Sequence, residues 1–379
     1  MANPPEPQSP KRRSLRILVA HNVPRGRSGG MNRTMEFLHD WVEAAGHQVE
    51  YFCSDDVPQS SSKMARFSFP LAVFRHAKMR RAEGRPYDII NVHEPSGAAV
   101  AVFKRQTGSR VVVMSYGVEW RGWKIARRHA SLKSRILFPV TVLWQARWAI
   151  EKADHIFCKN EEDVAELVAH GIPRARITRI FPGADPIFGR SAASRDYSKA
   201  QTILFAATWI RRKGIYELVE AFTALAPNYP QLRLIVLNPG VDDAVVLSHF
   251  PPTLRDRISC MRAAPEEGVA RVFEASDVYL LPSQFEGTPL TMMEAMWSGL
   301  PIVATKTCGM RDVLRDGDNG LLIPVEAPEA LAKALERLLD DCDLRARLGI
   351  AAHEDAVTHY TWQKCAQAVI EAYERLAGC

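Results

Sequence analysis

Three features that would place this sequence in large protein classes are absent. No apolar run approaches the ~18 residues of a membrane-spanning helix, and the N-terminus lacks the apolar segment of a secretory signal. The seven cysteines form no CxxC pair and no cluster with histidine, which excludes a recognisable zinc site and favours a cytoplasmic protein with reduced thiols. The loop after the first predicted strand is not GxGxxG, so the fingerprint of a dinucleotide cofactor is also missing.

Length and composition are those of two soluble domains. The chain has 379 residues, of which 47% are hydrophobic and 24% charged. Residues 1–13 are rich in proline and are predicted to be a disordered tail. We expect a first domain over residues 14–190, a second over 200–355, and a closing helix in 356–379 that packs back on the first domain.

The charge is distributed unevenly along the chain. Residues 1–190 hold 30 Lys and Arg against 18 Asp and Glu, whereas the remaining residues hold 19 and 25. A basic first half indicates either an anionic partner, such as a phosphorylated acceptor or an acidic membrane surface, or an ordinary solvated basic face. No nucleic acid partner is predicted.

Strands and helices alternate along both halves. This alternation predicts two doubly wound α/β domains with parallel sheets, whose ligands bind off the carboxyl ends of the strands. Strands are predicted at 15–20, 49–53, 89–93, 111–115, 155–158, 203–207, 232–237, 278–281 and 301–304, with helices that include 31–45, 214–225 and 362–376.

The stretch from residue 280 to 324 carries the strongest chemical signal. A buried strand is followed by a glycine-bearing loop and a helix, for which Thr288 is the predicted N-cap and Pro289 the first residue. Unpaired amides and the helix dipole make such a helix start an anion site. Two carboxylates frame it, Glu286 and Glu294, and they suit sugar hydroxyls better than phosphate because a carboxylate would repel an anion. Phosphate and sugar together indicate a nucleotide-sugar.

Three motifs in this stretch resemble the family 4 retaining glycosyltransferases. They are an E-x7-E motif from Glu286 to Glu294, the segment EAMWSGLPIVA over residues 294–304, and DGDNGLL over 316–322. The resemblance implies the GT-B fold, with two facing Rossmann-like domains. It further implies that Glu286 holds the transferred sugar and Glu294 the ribose of the nucleotide. The loop that would bring its amides to the diphosphate or sugar consists of Gly287, Thr288, Pro289 and Leu290.

A second donor motif is matched only in part. The family's GR-xxxx-KG segment corresponds here to residues 207–214, where Lys213 and Gly214 match and Thr208 replaces the arginine. The resemblance implies that Lys213 stabilises charge on the leaving diphosphate. Arg211 or Arg212 either adds to this charge from a different backbone position or points to solvent.

The first domain resembles the family more loosely. Gly29 and Gly30, at a helix start, are similar to its glycine loop, where the backbone approaches donor or acceptor. His93 and Glu94 lie in a segment similar to D-xx-HVH, in which Asn91 replaces one histidine. Tyr116 replaces a histidine that contacts the sugar near the reaction centre, and Glu119 follows it on the acceptor side. Tyrosine can donate a hydrogen bond but is a poor base at neutral pH, since its pKa is ~10.

Three other segments are a predicted hinge, a predicted turn and a basic stretch with two possible interpretations. Residues 181–188 resemble the family's PNG-x-D-xxxF hinge between domains. Asp316-Gly317-Asp318 is expected to form a reverse turn rather than a metal site, and no metal is predicted. The basic, aromatic stretch from Trp120 to Trp148 is either a membrane interface or an amphipathic helix pair packed on its own domain.

The resulting prediction is a retaining glycosyltransferase that transfers a sugar from a nucleotide diphosphate to a hydroxyl acceptor. The donor is expected to be UDP- or GDP-linked, with no further cofactor, and the acceptor a saccharide or lipid-linked molecule in polysaccharide or glycolipid assembly. The protein would be cytoplasmic, with peripheral contact at the inner face of the membrane left open. The alternatives are an epimerase-like nucleotide-sugar enzyme or a non-catalytic nucleotide-sugar-binding scaffold.

Overall fold

The computed structural model describes residues 13–26, 29–57, 65–263 and 266–379. The predicted N-terminal tail therefore lies outside the described residues except for Arg13, whose guanidinium pairs with Asp88 at 2.6 Å.

The first half forms a six-stranded parallel sheet with the strand order β2-β1-β3-β4-β5-β6. Its strands are β1 (Arg16–His21), β2 (Gln48–Cys53), β3 (Ile89–His93), β4 (Arg110–Met114), β5 (His155–Cys158) and β6 (Ile177–Arg179). Its helices are α1 (Gly30–Ala44), α2 (Ala65–Ala82), α3 (Ala98–Val102), α4 (Lys104–Thr107), α5 (Glu119–Ala126), α6 (Leu132–Phe138), α7 (Trp144–Lys152) and α8 (Glu161–Ala169).

The second half forms another six-stranded parallel sheet, with the order β12-β11-β10-β7-β8-β9. Its strands are β7 (Thr202–Ala206), β8 (Arg233–Leu237), β9 (Ile258–Met261), β10 (Val278–Leu281), β11 (Ile302–Thr305) and β12 (Leu321–Ile323). The helices after β7 are α9 (Ile215–Leu225), α10 (Asp243–Ser248), α11 (Glu266–Glu274), α12 (Leu290–Trp297), α13 (Cys308–Val313), α14 (Pro328–Asp340), α15 (Cys342–His359) and α16 (Trp362–Ala377).

The central strands are buried on both faces. Every residue of β3, β5, β10 and β11 is buried, because helices cover both sides of each sheet, as parallel sheets require. The sequence predicted these buried strands to within a residue or two, and the predicted parallel sheets are confirmed. The edge strands β6 and β9 were not predicted, since they are short and partly exposed.

The last helix, α16, packs against α1 of the first half. The rings of Phe37 and Trp362 stack at 5.6 Å between centroids, and Asn91 of β3 donates a hydrogen bond of 2.6 Å to the Tyr373 hydroxyl. At the predicted hinge, a Cβ on Gly183 would lie 2.2 Å from the Trp362 nitrogen, so only glycine lets these two segments cross. The domain boundaries themselves stay a prediction.

Candidate functional site

The two sheets meet at the carboxyl ends of their strands. The Thr288 hydroxyl, in the loop after β10, donates to the Lys159 carbonyl at the end of β5. Asn160 donates through Nδ2 to the Glu286 carbonyl at 3.4 Å. A Cβ on Gly287 would lie 2.7 Å from the Tyr116 carbonyl oxygen after β4. Direct backbone contact between the halves therefore requires glycine at position 287.

Glu286 is the best-compensated charge at this junction. Its side chain is buried, with Lys213 Nζ 2.5 Å from one oxygen and Arg212 Nη1 3.5 Å from the other. Burial alone would raise the pKa of Glu286, but the charges of Lys213 and Arg212 hold it below its usual value. The carboxylate is thus ionised at neutral pH and able to accept hydrogen bonds from hydroxyl groups.

Lys213 is positioned by a tight turn. It ends a short 3₁₀ helix, and Gly214 follows in the left-handed region at φ 75°. A Cβ on Gly214 would lie 2.1 Å from the Pro282 carbonyl oxygen. Close approach to the end of β10, together with positive φ, explains the glycine and brings Lys213 beside Glu286.

The structure distinguishes the two arginines left open by the sequence. Arg212 donates a hydrogen bond of 2.5 Å to the Phe285 carbonyl and also lies near the Glu286 carboxylate. Arg211 is exposed and stacks over the Tyr216 ring at 4.8 Å. Thr208, at the place of the family's arginine, is exposed. Arg212 is therefore the guanidinium that joins Lys213 at Glu286.

The predicted start of α12 is wrong by one residue. Pro289 is the N-cap, with an extended ψ of 128°, and Leu290 is the first helical residue. Thr288 does not cap the helix, because its hydroxyl is engaged by the Lys159 carbonyl of the other half. The residues next to Thr288 in the sequence do not predict this hydrogen bond, because its acceptor belongs to the facing domain.

Glu294, one turn into α12, is fully buried. Arg33 of α1 reaches across from the first half and places Nη2 2.5 Å from one carboxylate oxygen, and its Nε lies 3.7 Å from Glu266. The second oxygen of Glu294 has no hydrogen-bond partner among the described residues. Burial raises the pKa of Glu294, and the Arg33 charge opposes this rise. Arg33 was not predicted, although it follows the glycine loop by one helical turn.

The glycine loop has the predicted position. Gly29 is the N-cap of α1 at φ 88°, and Gly30 is the first helical residue. No described atom lies within 4 Å of a Cβ built on either glycine. The positive φ of Gly29 explains the glycine there.

Buried polar groups line the opposite edge, at the ends of β3 and β4. The Ser115 hydroxyl donates to Glu94 at 2.5 Å, and burial raises the pKa of Glu94 well above its usual value, with the charge of Glu119 adding to the rise. His93 lies 3.3 Å from the Ser96 hydroxyl, and burial lowers its pKa to about 4. Among the described residues, His93 Nδ1 and Glu94 Oε2 have no hydrogen-bond partner, and neither has Asn91 Oδ1 in the middle of β3.

Tyr116 and Glu119 have different surroundings. Glu119 is the first residue of α5. The Tyr116 side chain packs in the apolar cluster that holds Leu290, Trp362 and Cys365, and its hydroxyl has no described hydrogen-bond partner. Burial raises the pKa of Tyr116 well above its usual value. Tyr116 meets the donor loop through its backbone carbonyl, and its role in catalysis stays a prediction.

Sequence reasoning also missed two residues at the junction. Lys159 directly follows β5 and is buried; a polar residue at the carboxyl end of a buried parallel strand is a signal that could have found it. Cys308, at the start of α13, has a positive φ of 51° and accepts from the Glu286 amide at 3.5 Å. The sequence has no signal for the contact of Cys308 with Glu286.

The two aspartates of the DGD segment are engaged within a turn. Asp316 accepts a hydrogen bond of 2.9 Å from the Leu322 amide, and Asp318 pairs with Arg315 at 2.6 Å. Within the described residues, no group of three or more His, Cys, Asp or Glu side chains is arranged to hold a metal. In the same part of the chain, no helix is both long and apolar enough to span a membrane.

Family models match both halves of the chain. The model for glycosyl transferases group 1 covers residues 190–355, and the model for glycosyltransferase family 4 covers residues 28–188. The border between the two matches lies at the predicted hinge.

Curated relatives are similar to the chain at low identity. A D-inositol 3-phosphate glycosyltransferase of Corynebacterium urealyticum is 28% identical over 248 residues, which cover 60% of this chain and 58% of the relative. A phosphatidyl-myo-inositol mannosyltransferase of Mycolicibacterium smegmatis is 25% identical over 350 residues, which cover 90% of this chain and 83% of the relative.

Solved structures share the architecture. Sucrose-phosphate synthase from Thermosynechococcus elongatus has a TM-score of 0.76 at 19% identity, covering 96% of this chain and 99% of the other. WaaG, a glycosyltransferase involved in lipopolysaccharide biosynthesis, has a TM-score of 0.73 at 17% identity, covering 96% and 100%. At these identities the likeness shows the fold, and the predicted GT-B arrangement of two Rossmann-like domains is confirmed. With both halves matched by its family models, the chain belongs to the family 4, or group 1, glycosyltransferases.

Proposed function

We propose that this protein is a retaining glycosyltransferase that moves a sugar from a nucleotide diphosphate donor to a hydroxyl acceptor. The observation that supports the proposal is the buried Glu286 carboxylate, which pairs with Lys213 and Arg212 beside the Gly287–Leu290 loop between the two sheets. An ionised carboxylate next to two cations offers hydrogen-bond acceptors to a sugar and positive charge to a diphosphate within one small volume.

The chemistry follows from this arrangement. The bond between the sugar's anomeric carbon and the diphosphate oxygen breaks, and a bond from that carbon to the acceptor oxygen forms on the same face. The departing diphosphate takes the proton of the acceptor hydroxyl, so no enzymic base is needed. Lys213 and Arg212 stabilise the negative charge that grows on the diphosphate, while Glu286 orients the sugar hydroxyls and Glu294 those of the ribose.

A panel of donors tests this proposal. UDP, GDP and ADP and their common sugar conjugates would be added to the protein, with melting temperature and release of nucleoside diphosphate measured together. We expect one nucleotide class to raise the melting temperature selectively. Replacing Glu286 by Gln keeps the side-chain shape and should reduce turnover at least ~100-fold, whereas Glu329→Gln, at an exposed site on α14, should leave it unchanged.

The outcomes separate the alternatives. Interconversion of sugars without an acceptor would indicate an epimerase-like enzyme. Binding without release of nucleoside diphosphate would indicate a scaffold. No shift in melting temperature with any nucleotide, or full turnover by Glu286→Gln, would contradict the proposed donor site.

The acceptor side is proposed to lie at an acidic membrane surface, where a lipid-linked or saccharide acceptor would be presented. From Trp120 to Trp148 the sequence has seven Lys or Arg and no Asp or Glu. Four apolar residues at four-residue multiples along α6, α7 and the π-helical turn between them are exposed: Leu132 by 76%, Ile136 by 62%, Val140 by 60% and Trp148 by 46%. An outward apolar stripe with basic neighbours is typical of a helix that lies in a membrane interface.

Co-sedimentation with vesicles tests the membrane contact. We expect the protein to bind phosphatidylglycerol vesicles, to bind phosphatidylcholine vesicles weakly, and to be released by salt. The triple variant Leu132→Ser, Ile136→Ser and Val140→Ser should lose binding. Ile350→Ser, at a side chain 50% exposed on the second domain, is the matched control. Equal binding of the triple variant and the wild type would refute the contact.

A further inference from the structure

Lys159 is a buried lysine with no compensating anion among the described residues, and burial lowers the pKa of its ammonium. Its side chain is 1% exposed at the carboxyl end of β5, and within the described residues its Nζ has neither a hydrogen-bond partner nor an ion pair. The nearest described favourable contact is the face of the Tyr116 ring, 5.5 Å from Nζ to the centroid. An unpaired buried ammonium is costly to the folded protein.

The surroundings contribute no negative charge. Burial raises the pKa of the Cys158 thiol well above its usual value and raises that of Cys365, so both stay protonated. Burial also lowers the pKa of His39 to about 4, with the charges of His21 and Lys159 adding to the effect, so this ring is neutral. The Tyr116 hydroxyl is neutral as well. The other cleft lysine, Lys213, contrasts with this, since it pairs with Glu286.

The contacts around Lys159 lie where the two domains meet. Its carbonyl accepts from Thr288, and a Cβ on Gly287 would lie 3.1 Å from its own Cβ. Leu290, the first residue of α12, packs in the same cluster as Tyr116. The lysine is therefore adjacent to a helix start that itself favours an anion. Separation of the two domains would open this end of β5.

We propose that Lys159 binds an oxyanion, a phosphate oxygen of either the donor diphosphate or a phosphorylated acceptor, as the domains open and close around substrate. The proposal rests on the proposed function and adds to it a cation from the first domain, outside the family motifs. Lysine suits this role, because its ammonium is a compact charge that phosphate oxygens can approach from several directions.

Stability and binding measured together distinguish this role from a structural one. Lys159→Met removes an uncompensated charge and should melt at the same temperature as the wild type or higher. Lys104→Met is the matched control. Lys104, in α4, pairs with Asp154 at 2.7 Å, just before the amino end of β5. This variant should have a lower melting temperature than the wild type and unchanged phosphate binding.

Inorganic phosphate is the probe. We expect it to raise the melting temperature of the wild type, with an apparent affinity at least tenfold weaker in Lys159→Met and largely retained in Lys159→Arg. Repeating the titration with saturating UDP or GDP identifies the source of the anion. If the nucleotide abolishes the phosphate response, the site belongs to the donor, and if the response persists, it belongs to the acceptor.

Three results would overturn the proposal: a wild type that does not respond to phosphate, equal responses in wild type and Lys159→Met, or a Lys159→Met protein less stable than wild type. Failure of the proposed function is distinguishable from these, because the absence of any nucleotide effect leaves the phosphate titration interpretable.

Discussion

Glu286 and Glu94 are buried carboxylates on the two sides of the same cleft, and their surroundings are opposite. Glu286 in the second domain has a lysine and an arginine as partners, which hold its pKa below the usual value despite burial. Glu94 in the first domain accepts from the Ser115 hydroxyl and has no cation partner among the described residues. Burial, together with the nearby charges of Glu119 and Asp163, raises its pKa.

Buried polar atoms without a described hydrogen-bond partner occur on both sides of the cleft. In the first domain, four such side chains lie at or just after the carboxyl ends of β3, β4 and β5: His93, Glu94, Tyr116 and Lys159. In the second domain the corresponding atoms are Ser283 Oγ, after β10, and Glu294 Oε2. Unsatisfied buried polar groups are rare in folded proteins and need an explanation such as a ligand. The contrast is therefore between two carboxylates: Glu286 is compensated by Lys213 and Arg212, whereas Glu94 has only the Ser115 hydroxyl as a described side-chain partner.

The largest expected effect is the loss of kcat when the compensated carboxylate, Glu286, loses its lysine partner. Replacing Lys213 by Met leaves Glu286 with Arg212 alone, 3.5 Å away, and removes a cation from the leaving diphosphate. We expect kcat to fall ~100- to 1000-fold, measured as nucleoside diphosphate release. Lys333→Met, at an exposed position of α14, is the control. A change of less than twofold in Lys213→Met would show that the charge at Glu286 is not used in catalysis.

Alanine substitutions at Gly214 and Gly29 compare the packing density around one glycine of each domain. Gly214 and Gly29 both have positive φ, 75° and 88°, so alanine costs roughly 1–2 kcal/mol of backbone strain at each. A Cβ on Gly214 also meets the Pro282 carbonyl at 2.1 Å, whereas no described atom lies within 4 Å of one on Gly29. The clash should add ~1–3 kcal/mol, so Gly214→Ala should lose more free energy of unfolding in urea. Equal losses would contradict the contrast in packing.

The smallest expected effect is a difference in pH dependence. The raised pKa of Glu94 means that the folded protein binds more protons than the unfolded one above pH ~4.3, so this group lowers stability as pH rises. The lowered pKa of Glu286 has the opposite consequence: its contribution is present above that pH and is lost as pH falls through the folded-state pKa.

Glutamine variants separate the two contributions. Glu94→Gln should gain stability relative to wild type more at pH 8 than at pH 5, whereas Glu286→Gln should lose more at pH 8 than at acidic pH. Urea unfolding at several pH values measures both. The assignment for Glu94 is refuted if its variant shows the same pH dependence as the wild type.

Periodicity and local motifs predicted most of the fold. Strands such as β3, β5 and β10 are short, mostly apolar and fully buried segments bounded by turns, and their positions follow from local sequence. Glu286, Lys213 and Gly214 were singled out from family motifs, and their roles stay predictions. The structure brings them together because β7, which precedes Lys213, and β10, which precedes Glu286, are neighbouring parallel strands.

What the sequence did not predict depends on contacts between the domains. Arg33 pairs with Glu294, 261 positions away in the sequence. Thr288, predicted to cap α12, instead donates to the Lys159 carbonyl, 129 positions away. The position of Lys159 at the end of a buried strand is visible in the sequence, but its contacts with Thr288 and Tyr116 are not. No local pattern encodes which residue of one sheet edge faces which residue of the other.

The central claim is that Glu286 serves the donor and Glu94 the acceptor. It is tested most directly by measuring donor hydrolysis and sugar transfer in the same reaction with Glu286→Gln and Glu94→Gln. The account predicts that Glu286→Gln loses both activities, because the sugar is no longer held. It predicts that Glu94→Gln still releases nucleoside diphosphate by slow transfer to water but loses transfer to the acceptor. Retained transfer in Glu286→Gln, or equal loss of both activities in Glu94→Gln, would contradict it.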